Sequence, residues 1–362
     1  MQLCAYLIEQ VPYAHATKHD IFGAEGQGMN MQMKRYNQYS DCRLCPNECG
    51  VDRASGQRGR CGQTSQVRIA WVGLHRGEEP PITGERGSGM VFFCGCPLHC
   101  QYCQNYQISG ALDGLHFGKG EGSCSRTASY DGIAVTDKML ADLMLDLQSF
   151  GAASINLVTG THYIPSIAVA LKDAKARGLS LPVVWNSSGY EKVEAMRLID
   201  DLIDLYLLDV KTIDRDVASR FCGLARYCDA IVPLVRFLKR RHPRTYMENG
   251  LEGVLVRHLV FPGTLDATMR FLSWYADNLK DNFLLSLMVQ FVPPLEDPGF
   301  PKLAKSEYDS LLDALDRYEI DGFIQEQSDN EILWIPDFTK DQPFPDSFAE
   351  PLPSFLELKS KA

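Results

Sequence analysis

From residue 89 onward the chain alternates short apolar runs with longer stretches in which apolar residues recur every three to four positions. Apolar runs bounded by Gly, Pro and polar clusters read as strands, and helix-period stretches between them read as crossovers. The pattern therefore predicts βαβ units and a parallel sheet. The predicted strands are GMVFF (89–93), SINLV (154–158), PVVWN (182–186), LYLLDV (205–210), VLVRHLVF (254–261) and FLLSLMVQF (283–291). Helices are predicted over 136–150, over 163–177 closed by Gly178, over 191–199, after Asp214, over 264–278, and from near Ser306, where Ser306 and Asp309 form a Ser-x-x-Asp capping pattern. Six strand-helix repeats fall short of the eight of a closed barrel. The expected fold class is α/β, a partial (β/α)6 barrel over 89–333.

The flanks differ. Residues 1–35 carry no period and are expected to form a loose N-terminal arm. Residues 36–88 hold a stretch dense in Cys, Gly and Arg with little room for a core of its own, expected to fold around a metal. The tail, 334–362, holds five prolines spaced by Phe and charges. It is expected to run extended over the body or to be partly disordered, and not to continue a sheet.

Composition narrows the class. With 362 residues, 45% hydrophobic and 23% charged, the chain reads as an ordinary soluble folded protein. A net charge of -10 argues against a nucleic-acid surface. One basic run, Arg236, Lys239, Arg240, Arg241, His242 and Arg244, reads as a solvated face, with docking of an acidic protein as the rival. Residues 147–171 lack Asp, Glu, Lys and Arg, but Gly151, Gly160, His162 and Pro165 break them, so no membrane span is expected. The first twenty residues have no basic leader and Glu9 stops their apolar run, which leads to the expectation of a reducing, cytoplasmic setting. There, twelve cysteines in clusters point to metal ligation rather than disulfides.

The densest cluster is FFCGCPLHCQYCQN (92–105), with Cys94, Cys96, Cys100 and Cys103. A Cys4 zinc knuckle is the plain alternative. Cys96, Cys100 and Cys103, however, have the spacing CxxxCxxC just after a predicted strand, and this resembles the radical S-adenosylmethionine signature. The resemblance implies a [4Fe-4S] cluster on three thiolates, its fourth iron left open for the amino and carboxylate groups of S-adenosylmethionine. It also implies an aromatic residue against the adenine, here Tyr102, and a partial barrel of the radical S-adenosylmethionine type. Cys94 reads as a small buried residue beside the cluster.

The same resemblance extends along the chain at strand ends, where barrel sites are built. Thr159, Gly160 and Thr161 stand where the family has a Gly-Gly-Glu stretch whose carbonyls receive the amino group of S-adenosylmethionine; the letters differ, so only a backbone role carries over. His162 follows as a candidate or a helix-start residue. WNSSGY supplies Asn186, Ser187 and Ser188, similar to a turn reaching ribose and carboxylate, or else a cap for the next helix. Asp209 and Lys211 match an Asp-x-Lys element that implies a carboxylate contact from Lys and a monovalent cation beside Asp. Arg257, His258 and Gln290 are further candidate contacts. GLHRGEEPPITGERGSG (73–89), INLVTGTHYIP (155–165) and VRHLVFPG (256–263) resemble the uncharacterised, pyruvate formate-lyase-activating-enzyme-like subgroup.

Upstream, CRLCPNECG and GRCG set Cys42, Cys45, Cys49 and Cys61 as four ligands for one closed centre, zinc or a second iron-sulfur cluster, serving as a staple or as an electron relay. Together these features lead to the expectation of an anaerobic radical enzyme that cleaves S-adenosylmethionine and abstracts a hydrogen. By resemblance it is an activating enzyme placing a glycyl radical on a partner protein and taking electrons from a flavodoxin- or ferredoxin-type reductant. A radical enzyme acting on a peptide or small molecule is the alternative, and a non-catalytic iron-sulfur or zinc carrier or scaffold is the alternative of another class.

Overall fold

Strand-helix alternation organises the chain in space as it does in sequence. The computed structural model describes residues 37–110, 130–248, 250–292, 300–326 and 335–361; the N-terminal arm expected over 1–35 lies outside them. The elements run β1 (Val67–His75), α1 (Pro80–Thr83), β2 (Ser88–Phe93), α2 (Tyr106–Ser109), β3 (Ile133–Val135), α3 (Asp137–Phe150), β4 (Ile155–Val158), α4 (Ile164–Ala176), β5 (Val183–Ser187), α5 (Val193–Met196) and β6 (Leu205–Asp209). They continue with α6 (Arg215–Cys222), α7 (Tyr227–Arg241), β7 (Gly253–Leu259), α8 (Leu265–Asn278), β8 (Leu284–Met288), α9 (Lys305–Tyr318), β9 (Gly322–Ile324), β10 (Ala349–Pro351) and α10 (Pro353–Lys361).

One sheet holds all the strands, in the order β10-β1-β2-β4-β5-β6-β7-β8-β9, with β3 on β1. From β2 to β9 every pairing is parallel. All six predicted strands are present, and β9 extends the parallel run by one. Among the described residues no pairing joins the edge strands β9 and β10, and the sheet is a partial barrel of α/β type. Its strands are buried on both faces, as helix-covered parallel strands must be, which is why they read as unbroken apolar runs.

Alternation along the strands separates two layers. Val184, Leu205, Leu207 and Leu255 point inward and pack around Ile82 of α1, so the β1–β2 connection plugs the barrel floor. Above that floor the inner positions turn polar. Caps at helix starts follow the sequence: Thr136 accepts from the Met139 N–H at 3.2 Å, and Asp214 accepts from Asp216 and Val217.

Several expectations are corrected. The predicted helix 191–199 is one turn of α-helix and a following 3-10 turn, and the segment after Asp214 is two helices, broken at Gly223 (φ 69°). At α9 the cap is not Ser306 with Asp309; the Glu307 carboxylate accepts from the Ala304 N–H at 2.8 Å. The stretch 36–88 also holds a strand the sequence reading did not separate, β1, antiparallel to β2, β3 and β10. The tail does continue the sheet, because β10 is an edge strand, where proline is tolerated. It is held by Phe344, whose ring meets Trp71 edge-on at 5.4 Å. In the basic run, His242 bonds Asp200 at 3.0 Å and Arg241 bonds Asp201 at 2.8 Å, so part of that face is internally paired. No described helix is long and apolar enough to cross a membrane.

Candidate active-site cavity

At the C-terminal ends of the parallel strands lies a cavity of about 1050 Å³. The loop after β2 carries Cys96, Cys100 and Cys103 into its wall. Gly95, at φ 86°, makes the turn that starts this loop; a Cβ there would stand 2.6 Å from the Cys61 carbonyl oxygen. The Leu98 N–H donates to the Cys96 sulfur at 3.4 Å. Burial pushes the Cys96 thiol well up and the Cys103 thiol up to about 11, whereas Cys100 is held below its ordinary value by a hydrogen bond from the Cys222 thiol. The Lys211 ammonium favours the thiolate form of all three.

The other strand ends complete the wall. Tyr102, Thr159, Asn186, Ser187, Ser188, Asp209, Lys211, Arg257 and Gln290 all line the cavity. Lys211 donates to Asp209 at 2.8 Å and lies 5.5 Å from the centre of the Tyr102 ring. Burial alone would lower the Lys211 pKa, but the Asp209 carboxylate and the Cys100 sulfur reverse this and raise it. Thr159 takes φ 59°, an unusual backbone for a β-branched residue, at the point where β4 delivers it to the cavity. The buried Ser188 hydroxyl and Gln290 amide oxygen have no hydrogen-bond partner among the described residues.

Other candidates fall elsewhere. Gly160 and Thr161 lie outside the cavity lining: the Gly160 carbonyl accepts from Tyr163, and the Thr161 hydroxyl donates to Glu191 at 2.8 Å. His162 is buried, its Nε2 donating to the Cys94 carbonyl at 2.7 Å. His258 faces outward against α8, stacked on Phe271 at 3.9 Å. The Cys94 sulfur sits 3.8 Å from the Tyr130 carbonyl, off the cavity.

Residues to which the sequence assigned no role also face the cavity: His75, Glu78, Glu79 and Ser286. Arg257 donates its Nε and one Nη to Glu79 and the same Nη to Glu78, all three side chains being largely buried. Burial lifts the Glu78 carboxyl above its ordinary range; at Glu79 the guanidinium fork outweighs burial and lowers it. Burial, helped by Arg257, pulls His75 down to about 4. Their sequence signal was a Glu pair directly after an unrecognised strand. Cys222, alone in α6, gave none.

Cys42, Cys45, Cys49 and Cys61 gather behind the loop, away from the cavity. Among the described residues, no three Cys, His, Asp or Glu side chains are already drawn around one ion-sized point.

A family model described as the radical SAM superfamily matches residues 90–273. The chain belongs to that superfamily. Radical SAM membership brings with it a [4Fe-4S] cluster and S-adenosylmethionine as cofactors. The residues present suit both: three thiols on one wall, an ammonium that favours their ionised form, and cavity-lining residues, Ser188 and Gln290, with unpartnered polar atoms. An uncharacterized protein of Methanocaldococcus jannaschii is 29% identical over 290 residues, covering 79% of this chain and 77% of its own. A domain of pyruvate-formate lyase-activating enzyme from Bacteroides vulgatus is 13% identical at a TM-score of 0.35, covering 45% of this chain and 92% of its own. Methylornithine synthase is 16% identical at a TM-score of 0.43, covering 63% and 60%.

Proposed function

We propose that the chain is a radical SAM activating enzyme that generates a glycyl radical on a partner protein, working at this cavity. The observation that carries the catalytic assignment is convergence: candidates from six separate strand ends, β2 and β4 to β8, line one space. Cys96, Cys100 and Cys103 would hold the [4Fe-4S] cluster. Tyr102, Thr159, Asn186, Ser187, Ser188, Lys211, Arg257 and Gln290 would contact S-adenosylmethionine, with Asp209 beside a monovalent cation. When bound, the two cofactors supply one-electron cleavage of the sulfonium and hydrogen abstraction. The chain's own part is to orient and to exclude water. Tyr102 packs on Phe261 at 4.8 Å and Phe261 stacks on Phe221 at 4.3 Å, a dry apolar flank for the reacting groups. Lys211 holds positive charge where a carboxylate would lie, and an open barrel admits a peptide loop.

A second reading, radical modification of a peptide or small molecule, is favoured by Glu78, Glu79 and Arg257. Buried charges facing the cavity suit a substrate with polar groups more than a bare glycine backbone.

The test begins with anaerobically reconstituted, dithionite-reduced protein given S-adenosylmethionine. The wild type is expected to form 5'-deoxyadenosine and the Cys96→Ala, Cys100→Ala, Cys103→Ala variant none. No product from either despite a full iron complement, or an iron-loaded wild type whose spectrum ignores S-adenosylmethionine, would return the chain to the carrier or scaffold class. Activation is then read as a doublet glycyl signal by electron paramagnetic resonance on a glycyl-radical partner; a product of altered mass without a protein radical would select the second reading.

A further inference from the structure

Arg53 is fully buried, 0% exposed, and has no counter-ion among the described residues. Its guanidinium donates to the Gln63, His162 and Thr64 carbonyls at 3.0, 2.7 and 2.7 Å and to the Cys42 sulfur at 3.6 Å. Tyr39 and Tyr163 flank it at 5.0 and 5.7 Å. Hydrogen bonds to neutral oxygens satisfy its donors but do not cancel its charge, and an unpaired buried charge is strongly unfavourable. Neutral thiols around it would leave that charge standing.

The surrounding segment is shaped for ligation. The Glu48 N–H donates to the Cys45 carbonyl in a tight turn and the Gly50 N–H donates to the Cys42 carbonyl to close the loop that carries Cys42, Cys45 and Cys49, both at 3.0 Å, with Glu48 and Gly50 at φ 44° and 65°. A third turn, at Gly62 (φ 74°), follows Cys61. The Arg60 N–H donates to the Cys49 sulfur at 3.3 Å, a bond that stabilises a thiolate. Between residues 37 and 66 the buried apolar side chains are Tyr39, Leu44, Cys42, Cys45 and Cys61, with Cys49 partly buried, too few to fold such a segment unaided.

We infer that Cys42, Cys45, Cys49 and Cys61 form a tetrathiolate metal centre, that Arg53 is its buried counter-ion, and that the centre buttresses the loop carrying Cys96, Cys100 and Cys103. Four thiolates on zinc leave a double negative charge, as do four thiolates on a [4Fe-4S] core in its oxidised state, so either metal answers Arg53. Binding replaces the S–H bonds with metal–sulfur bonds and releases the protons to solvent. The backbone turns are in place before any metal binds. The buttress is visible in four contacts: Arg53 holds the His162 carbonyl while the His162 ring holds the Cys94 carbonyl; Asn47 donates to the Pro97 carbonyl at 2.7 Å; and Gly95 lies against the Cys61 carbonyl.

The test uses the full chain with Cys96→Ala, Cys100→Ala and Cys103→Ala, so that the radical site contributes no iron and its failure is separable. Elemental analysis is expected to find one zinc, or about four irons with visible absorption, per chain. Adding Cys42→Ser and Cys45→Ser should remove it. Metal-free protein before that addition, or unchanged metal after it, would overturn the centre. In the wild type, the four thiols should resist alkylation until a chelator is added; immediate labelling of all four would equally overturn it. For the counter-ion, Arg53→Gln should lose metal to a chelator at least about tenfold faster than the parent, with Arg53→Lys between them; equal rates would reject that role. For the buttress, Cys42→Ser with Cys45→Ser in the otherwise native chain should lower iron retention at the Cys96 loop, and unchanged retention would reject it.

Discussion

At Arg257 a single guanidinium serves two carboxylates, and all three side chains are shut away from bulk water. Removing the cation strands Glu78 and Glu79, so Arg257→Met is expected to cost about 3–5 kcal/mol by urea denaturation at pH 7. Glu78→Gln should cost far less, since burial already favours the neutral acid there and glutamine keeps its shape. The buried histidines give a pH dependence of fixed sign. His75 and His258 are lowered to about 4 and His162 to about 3, first by burial, so the unfolded chain takes up protons before the folded one as the pH falls. Their contribution is complete above about pH 6.5 and declines towards pH 4, a loss of about 2 kcal/mol per histidine at pH 5. Urea midpoints that do not fall between pH 7.5 and pH 5 would contradict three neutral imidazoles. At this scale the sequence was readable where a motif had spacing. Cys96, Cys100 and Cys103 announce themselves, and Asp209 with Lys211 can be placed by a strand end. Glu78, Glu79 and Cys222 could not be, because their meaning lies in partners far along the chain, Arg257 and Cys100.

Among the elements, the loop after β2 depends on the one residue that can turn it. Gly95 has φ 86°, and a Cβ would meet the Gln63 side chain at 2.4 Å and the Cys61 carbonyl at 2.6 Å. Gly95→Ala is expected to push the loop off the upstream segment and to halve, at least, the iron retained on reconstitution, measured per folded chain. The six parallel strands were legible because strands buried on both faces leave unbroken apolar runs. Strand β1 has such a run too, but it sits between cysteine-rich and glutamate-rich stretches and pairs antiparallel with β2, outside the βαβ rhythm. β10 was hidden for the opposite reason: Pro351 and its neighbours look like breakers, and only the edge position beside β1 makes them acceptable.

For the molecule as a whole, the last thirty or so residues are part of the architecture. Phe338 and Phe344 pack against Phe92 at 5.3 and 5.7 Å, and Phe344 and Phe348 line the cavity. Phe344→Ala is therefore expected to destabilise the fold by about 3–5 kcal/mol and to weaken cofactor retention together with it. A truncation ending before residue 335 should aggregate, because it bares Trp71 and the β1 edge at once; a soluble, monomeric truncation in size-exclusion chromatography would refute this. Placing that wall far downstream of the cysteine loop also sets an order of events. Synthesis runs from the N-terminus, so every cysteine of the loop and the strands around it has emerged while Phe344 and Phe348 are still unmade. The growing polypeptide is expected to pass through a stage in which its thiols are assembled in an open-sided vessel, accessible to whatever delivers iron and sulfide, until the stretch that carries Phe344 and Phe348 arrives and shuts the door.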